Sequence, residues 1–326
     1  MLSFEQILHV IEAAIGELRF EGRPRSLFEP IEYTLAMGGK RIRPALTLMA
    51  CDLYGGKTGD ALKPALGMEV FHNFTLLHDD LMDEADKRRN RPTVHKKWNQ
   101  NTAILSGDAM LIAAYQLIGE TSEPYLKKVL PLFTETALAI CGGQQFDMEF
   151  ESRTDVTEDE YLEMIRLKTA VLFACCLKAG AWIGGASETD ADHLYRLGIH
   201  VGLAFQLQDD LLDVYGNPQT FGKNLGGDIL CDKKTFLLIH ALKRANAAQQ
   251  AMIRQYQSDG KNRFTPEEKI AVITAIYDEL EIKSLTLKKI QQYHELAMDD
   301  LAQLQAPADG LAVLREVCCR LTVREF

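Results

Sequence analysis

Residues 77–83 read Leu77-His78-Asp79-Asp80-Leu81-Met82-Asp83, and residues 205–213 read Phe205-Gln206-Leu207-Gln208-Asp209-Asp210-Leu211-Leu212-Asp213. Both contain Asp-Asp-x-x-Asp in an apolar setting. Side chains four residues apart on a helix share a face, so Asp79 projects with Asp83, and Asp209 with Asp213. The flanking leucines predict helices packed in a core. Two carboxylates on such a face repel each other and lose hydration unless a cation joins them. Oxygen ligands suit a hard ion such as Mg2+, which keeps several waters and bridges a few carboxylates to phosphate oxygens. Asp80 and Asp210 lie to one side, as outer ligands or hydrogen-bond acceptors. A solvated helix face would explain one such cluster. Two with the same spacing and the same leucine flanks call for a ligand.

Outward from these segments, helical periodicity dominates, and no alternating run bounded by hairpin turns predicts a sheet. Thr157 to Glu160 and Thr265-Pro266-Glu267-Glu268 are capping boxes that predict helix starts, the second with proline at the first helical position. Breaks are expected at Gly55-Gly56, near Pro92, at Ser122-Glu123-Pro124, at Gly184-Gly185, at Gly216-Asn217-Pro218 and near Pro307. The expected architecture is one all-α domain over residues 1–326, with roughly ten or more helices.

The chain has 326 residues, enough for a large core; 47% are hydrophobic and 25% charged, as in ordinary globular proteins. A net charge of -10 argues against a nucleic-acid partner and makes any basic site a local arrangement. The seven cysteines include two adjacent pairs but no C-x-x-C, which fits neither a disulfide framework nor a zinc site and predicts mostly buried, reduced thiols. The N-terminal stretch lacks a basic start. The most apolar stretch, from Ala170 to Ala186, is short and interrupted by Lys178, so no membrane span is expected. These features predict a cytoplasmic protein.

Local cations are not hard to find. Gly38-Gly39-Lys40-Arg41-Ile42-Arg43-Pro44 is a glycine turn followed by three cations suited to a diphosphate. Arg88 and Arg89 follow the first acidic cluster and offer bidentate phosphate binding; the alternative is a surface pair with Glu84 or Asp86. Lys168-Thr169 interrupts an apolar helix, where a lysine needs a partner or a cavity. Lys223 and Lys233 follow the second cluster. With the carboxylates, these cations compose a charge-balanced site for metal and diphosphate.

Together the residues resemble the trans-isoprenyl diphosphate synthases, or polyprenyl synthetase family. The resemblance runs from about Gly38 to Thr235 and rests on GGKRIRP, HDDLMDEADKRRNRPTVH, GGQQFD, the Lys168-Thr169 pair, FQLQDDLLD, and GKNLGGD followed by Lys233 and Thr235. It implies a bundle of mostly antiparallel helices around one cavity, as a homodimer. It implies that Asp79, Asp80, Asp83, Asp209, Asp210 and Asp213 bind Mg2+, three ions in all, with an allylic diphosphate. Lys40, Arg43, His72 and Arg89 match the isopentenyl diphosphate positions. Arg88, Lys168, Thr169, Gln206, Lys223 and Lys233 match the allylic side. Asn90 replaces the family's usual glycine, and Phe236 stands where a proline usually follows Thr235.

The resemblance also speaks to product length. Bulky residues four or five positions before the first aspartate floor the family's cavity. Here these positions hold Thr75 and Phe74, with Phe71 deeper on the helix. This combination predicts a C20 product, geranylgeranyl diphosphate, with C15 farnesyl diphosphate as the alternative. The rival classes are an inactive regulatory subunit, a terpene cyclase and a di-iron bundle. Intact motifs oppose the first. The presence of both acidic motifs and of GGKRIRP opposes the second. A single Glu-x-x-His, Glu69 to His72, opposes the third, which needs two.

Overall fold

Ser3, Thr157 and Thr265 each accept the backbone N–H three residues on, while Gln6, Glu160 and Glu268 return to the cap's own N–H. These reciprocal bonds satisfy donors that no helix can pair internally. They begin three helices, two of them where the sequence predicts. The structure is a computed structural model that describes residues 2–217, 225–258 and 264–322.

In chain order the elements are α1 (Phe4–Glu17), α2 (Arg25–Leu35), α3 (Ile42–Leu53), α4 (Thr58–Met82), β1 (Lys87–Arg88), β2 (Arg91–Pro92), α5 (Val94–Lys97), α6 (Gln100–Gly119) and α7 (Glu123–Glu151). There follow α8 (Glu158–Ile165), a π-helical turn (Arg166–Ala170), α9 (Val171–Gly184), α10 (Glu188–Tyr215), α11 (Gly227–Leu230) and α12 (Phe236–Arg244). The last are α13 (Ala247–Ser258), α14 (Pro266–Glu279), α15 (Ile282–Ala302) and α16 (Ala308–Thr322). The all-α class holds, and the expected breaks fall at or beside element ends, with Pro218 outside the described residues.

The one departure among the described residues is the hairpin of β1 and β2, with Lys87 opposite Pro92 and Arg88 opposite Arg91. Arg89 and Asn90 turn it with φ of 50° and 62°, the geometry of a two-residue type I′ turn. Asparagine tolerates this region better than most residues, which accounts for Asn90 in place of glycine. The second substitution is also absorbed. Thr235 caps α12 by accepting from Leu238 N–H, and first-turn N–H groups have no helical partner in any case. Phe236 instead fills a buried site beside Tyr161 and His240.

The chain divides into two compact units: Met1–Glu135 with Leu172–Arg196 and Leu301–Val317, and Thr136–Val171 with Leu197–Asp300 and Cys318–Phe326. In the first unit α4 packs against α3 and α6. Its buried Phe71 meets Phe74 and Phe133 at ring distances of 5.5 and 5.1 Å, so the expected cavity-floor residue belongs to an aromatic cluster. In the second unit Tyr161, Met164, Leu203, Leu207, Leu211 and Phe236 form much of a buried apolar core. Among the described residues two helical stretches are long and apolar enough to cross a membrane, Gln100–Gly119 and Glu158–Gly184; 78% of the apolar window of the second is buried within the fold. All seven cysteines are free thiols, with Cys51, Cys175, Cys176 and Cys318 buried and Cys141 and Cys231 exposed.

Candidate active site

The first acidic motif closes α4. Asp79 and Asp80 lie in its last turn, and Asp83 is its C-cap. The second motif closes α10, whose last turn carries Asp213. Helix C-termini are the negative ends of the backbone dipole, and neither helix has a basic residue in its last turn. Carboxylates gathered there need a cation from elsewhere.

The middle aspartates have taken protein partners. Asp80 is 6% exposed and accepts from Arg88 Nε at 2.8 Å, with Arg88 Nη2 3.9 Å from Asp79. Burial pushes the Asp80 carboxyl up despite Arg88. Asp210 is 4% exposed and accepts from Tyr161 Oη at 2.6 Å and Gln206 Nε2 at 2.8 Å. Burial and the nearby Asp228 charge push it up to about 7. Of the two roles the sequence leaves open for Asp80 and Asp210, these bonds supply that of acceptor. Arg88 pairs with the motif itself rather than with Glu84 or Asp86; Asp86 pairs with Lys96.

Around the first motif, Arg43 Nη1 lies 3.0 Å from His72 Nε2. Arginine can only donate, so Nε2 accepts and the ring proton sits on Nδ1. Burial and the charges of Arg43, Arg89, Arg88 and Arg41 hold the His72 pKa well below its ordinary value. The hairpin lays Arg89 across the glycine turn: a Cβ on Gly39 would stand 2.9 Å from Arg89 Nη2. Lost hydration and neighbouring Arg88 lower the Arg89 pKa too. Cations gathered this closely favour an anion as ligand.

Arg41 departs from the expectation of three phosphate-facing cations. Its φ of 48° turns it inward, 3% exposed, onto Glu69 at 2.7 Å and Glu12 at 2.9 Å. Glu69 also accepts from Asn73, so this carboxylate braces the loop. Lys40 stays exposed beside it.

In the second unit Lys168 lies in the π-helical turn, a distortion common at functional sites. It finds the partner an apolar helix demands in Asp147, at 2.7 Å. Lys233 Nζ is 3.9 Å from the same oxygen. Thr169 Oγ1 donates to Gln206 Oε1 at 2.9 Å, continuing the chain Thr169–Gln206–Asp210–Tyr161. Asp213 accepts from Asp228 N–H at 2.9 Å. Lys223 lies outside the described residues. Tyr161, Asp147 and Asp228 are additions to the site. Their partners lie 49, 21 and 15 residues away, and only the quoted GGQQFD and GKNLGGD motifs hinted at the last two.

Among the described residues, no three His, Cys, Asp or Glu side chains form a ready-made metal cage. Carboxylate pairs at negative helix ends fit Mg2+, which takes one or two carboxylates and completes its octahedron with water and phosphate.

The polyprenyl synthetase profile matches residues 24–277. The chain is 41% identical over 236 residues to the geranylgeranyl diphosphate synthase of Methanosarcina mazei, covering 72% of this chain and 73% of that one. It is 33% identical to the geranylgeranyl diphosphate synthase of Sulfolobus acidocaldarius over 98% of this chain and 97% of that one. A crystal structure of a geranylgeranyl pyrophosphate synthase matches at 39% identity and a TM-score of 0.94, covering 100% of both chains. The all-α fold is thus that of a known group, and the chain belongs to the polyprenyl synthetase family.

Proposed function

We propose that the chain is a Mg2+-dependent trans-prenyltransferase that condenses isopentenyl diphosphate with dimethylallyl, geranyl and farnesyl diphosphates. The product we assign is geranylgeranyl diphosphate. The observation that carries the reading is the pair of acidic motifs at two helix C-termini that lack basic residues. The product length is supported by the names of the relatives and by Phe74 and Thr75 before Asp79. A farnesyl diphosphate product is the second reading, favoured by the bulk of Phe74 five residues before Asp79, which narrows the space nearest the motif. The chain then acts as a single catalytic domain.

In this reading Asp79 and Asp83, and Asp209 and Asp213, hold Mg2+, three ions with substrate bound, while Asp80 and Asp210 support them. When bound, Mg2+ supplies charge that stabilises the departing diphosphate. Lys168 and Lys233, with Arg88, Thr169, Gln206 and Lys223, bind the allylic diphosphate. Lys40, Arg43 and Arg89 bind the isopentenyl diphosphate, and His72 donates from Nδ1. The allylic C–O bond breaks with its electrons on oxygen. The isopentenyl double bond attacks the allylic carbon, and the proton lost from isopentenyl C2 passes to the released diphosphate. Phe71 and Phe74 exclude water from the cation. No protein nucleophile takes part.

We further propose a cytoplasmic homodimer. The seven free thiols support a reducing compartment. On α6, Leu105 and Ile112 are 58% and 62% exposed and share a face, which a second copy would cover.

Asp79→Ala and Asp209→Ala test the metal assignment. Each is expected to lower kcat roughly a hundredfold or more, measured by incorporation of labelled isopentenyl diphosphate at saturating Mg2+. Near-normal turnover in either would remove that motif from the reaction.

A further inference from the structure

GGQQFD, residues 142–147, is the one quoted motif without a role in the reaction just described. Gly143 and Asp147 lie four residues apart on α7, hence on one face. A Cβ on Gly143 would stand 2.4 Å from Lys168 N, 2.7 Å from Lys168 Cα and 2.8 Å from Leu167 C. Helix α7 therefore meets the π-helical turn backbone to backbone, an approach open only to glycine. One turn further along the same face, Asp147 Oδ2 receives Lys168 Nζ at 2.7 Å, with Lys233 Nζ at 3.9 Å.

The two ammonium groups come from different elements. Lys168 belongs to the π-helical turn, and Lys233 to the turn before α12, where its N–H donates to Asp228 O. Side-chain exposures are 16% for Asp147, 22% for Lys168 and 35% for Lys233. Two lysines so close repel each other, and each has a flexible stem. A shared carboxylate removes the repulsion and fixes both heads. The trio keeps one net positive charge for an incoming anion. The charges of Lys233 and Lys168 overcome burial and hold the Asp147 carboxyl below its ordinary range, so it stays ionised at neutral pH.

We infer that Asp147 is a positioning residue for the allylic diphosphate: with Gly143 it sets Lys168 and Lys233 in place before substrate arrives. The inference rests on the reading that these two lysines hold that diphosphate.

The test is steady-state kinetics on Asp147→Asn, Lys168→Gln, Lys233→Gln and the double variant Asp147→Asn/Lys233→Gln. Asp147→Asn is expected to raise KM for the allylic diphosphate about tenfold, as loss of a charge partner does, with KM for isopentenyl diphosphate within about twofold. The double variant is expected to lose less than the product of the single losses, because the two groups act as a unit. An unchanged allylic KM in Asp147→Asn, or equal rises for both substrates, would overturn the inference. If Lys168→Gln and Lys233→Gln themselves leave the allylic KM unchanged, the reading of the lysines fails instead. Should Asp147→Asn not fold, Gly143→Ala probes the same cradle with all charges kept. It too should raise the allylic KM and spare the other; equal shifts would overturn the inference.

Discussion

At the scale of single residues, neighbours decide charge. His72 sits among Arg43, Arg89, Arg88 and Arg41, and burial with these charges depresses its pKa well below the ordinary 6.5. The sign of the linkage follows. Below 6.5 an unfolded chain takes up a proton here that the folded chain refuses. The stability tied to neutral His72 is therefore present above 6.5 and lost as pH falls. Melting temperature measured from about pH 7.5 down to 5 should fall less steeply in His72→Asn than in the parent; parallel curves would show that His72 is protonated in the folded state. The same scale marks what sequence reading could and could not reach. Asp79, Asp83, Asp209 and Asp213 were legible because helical spacing is local. Arg41 was read as a phosphate cation because its carboxylate partner, Glu69, lies 28 residues on. Tyr161 escaped for a similar reason: nothing local announces a tyrosine that reaches Asp210.

At the scale of elements, helix starts and stops were legible from caps and glycines, which act over three or four residues. The hairpin between α4 and α5 was not, because its turn is Arg89-Asn90 rather than Asn-Gly and its strands are two residues long. The π-helical turn was hidden as well: it meets α7 at Gly143, and nothing local in residues 166–170 announces it. Helix α4 bears both the first acidic motif and the residues taken as the cavity floor. Phe74 is 9% exposed and packs on Phe71 and His78, while Thr75 turns its hydroxyl to His72 O. Phe74→Ala is expected to lengthen the dominant product by at least one five-carbon unit, read by chromatography of the dephosphorylated alcohols. An unchanged product distribution would place the floor deeper, at Phe71 or beyond.

At the scale of the whole molecule, an acidic protein of net charge -10 concentrates cations at residues 87–97 and in the GGKRIRP loop. Exposed apolar side chains occur on several helices. Leu105 and Ile112 face solvent from α6, and a monomeric protein rarely leaves such residues clustered on one helix face. Sedimentation is expected to give a dimer for the parent chain and a monomer, or a far weaker dimer, for Leu105→Asp/Ile112→Asp. An unaltered dimer would move the interface elsewhere.

The measurement that bears most directly on the whole account is product sizing. Purified protein is incubated with Mg2+, labelled isopentenyl diphosphate and, in parallel, dimethylallyl, geranyl or farnesyl diphosphate. One dominant C20 alcohol is expected after dephosphorylation, from every starter. Failure of a folded protein to incorporate label from any starter would contradict it and leave an inactive subunit of the same fold.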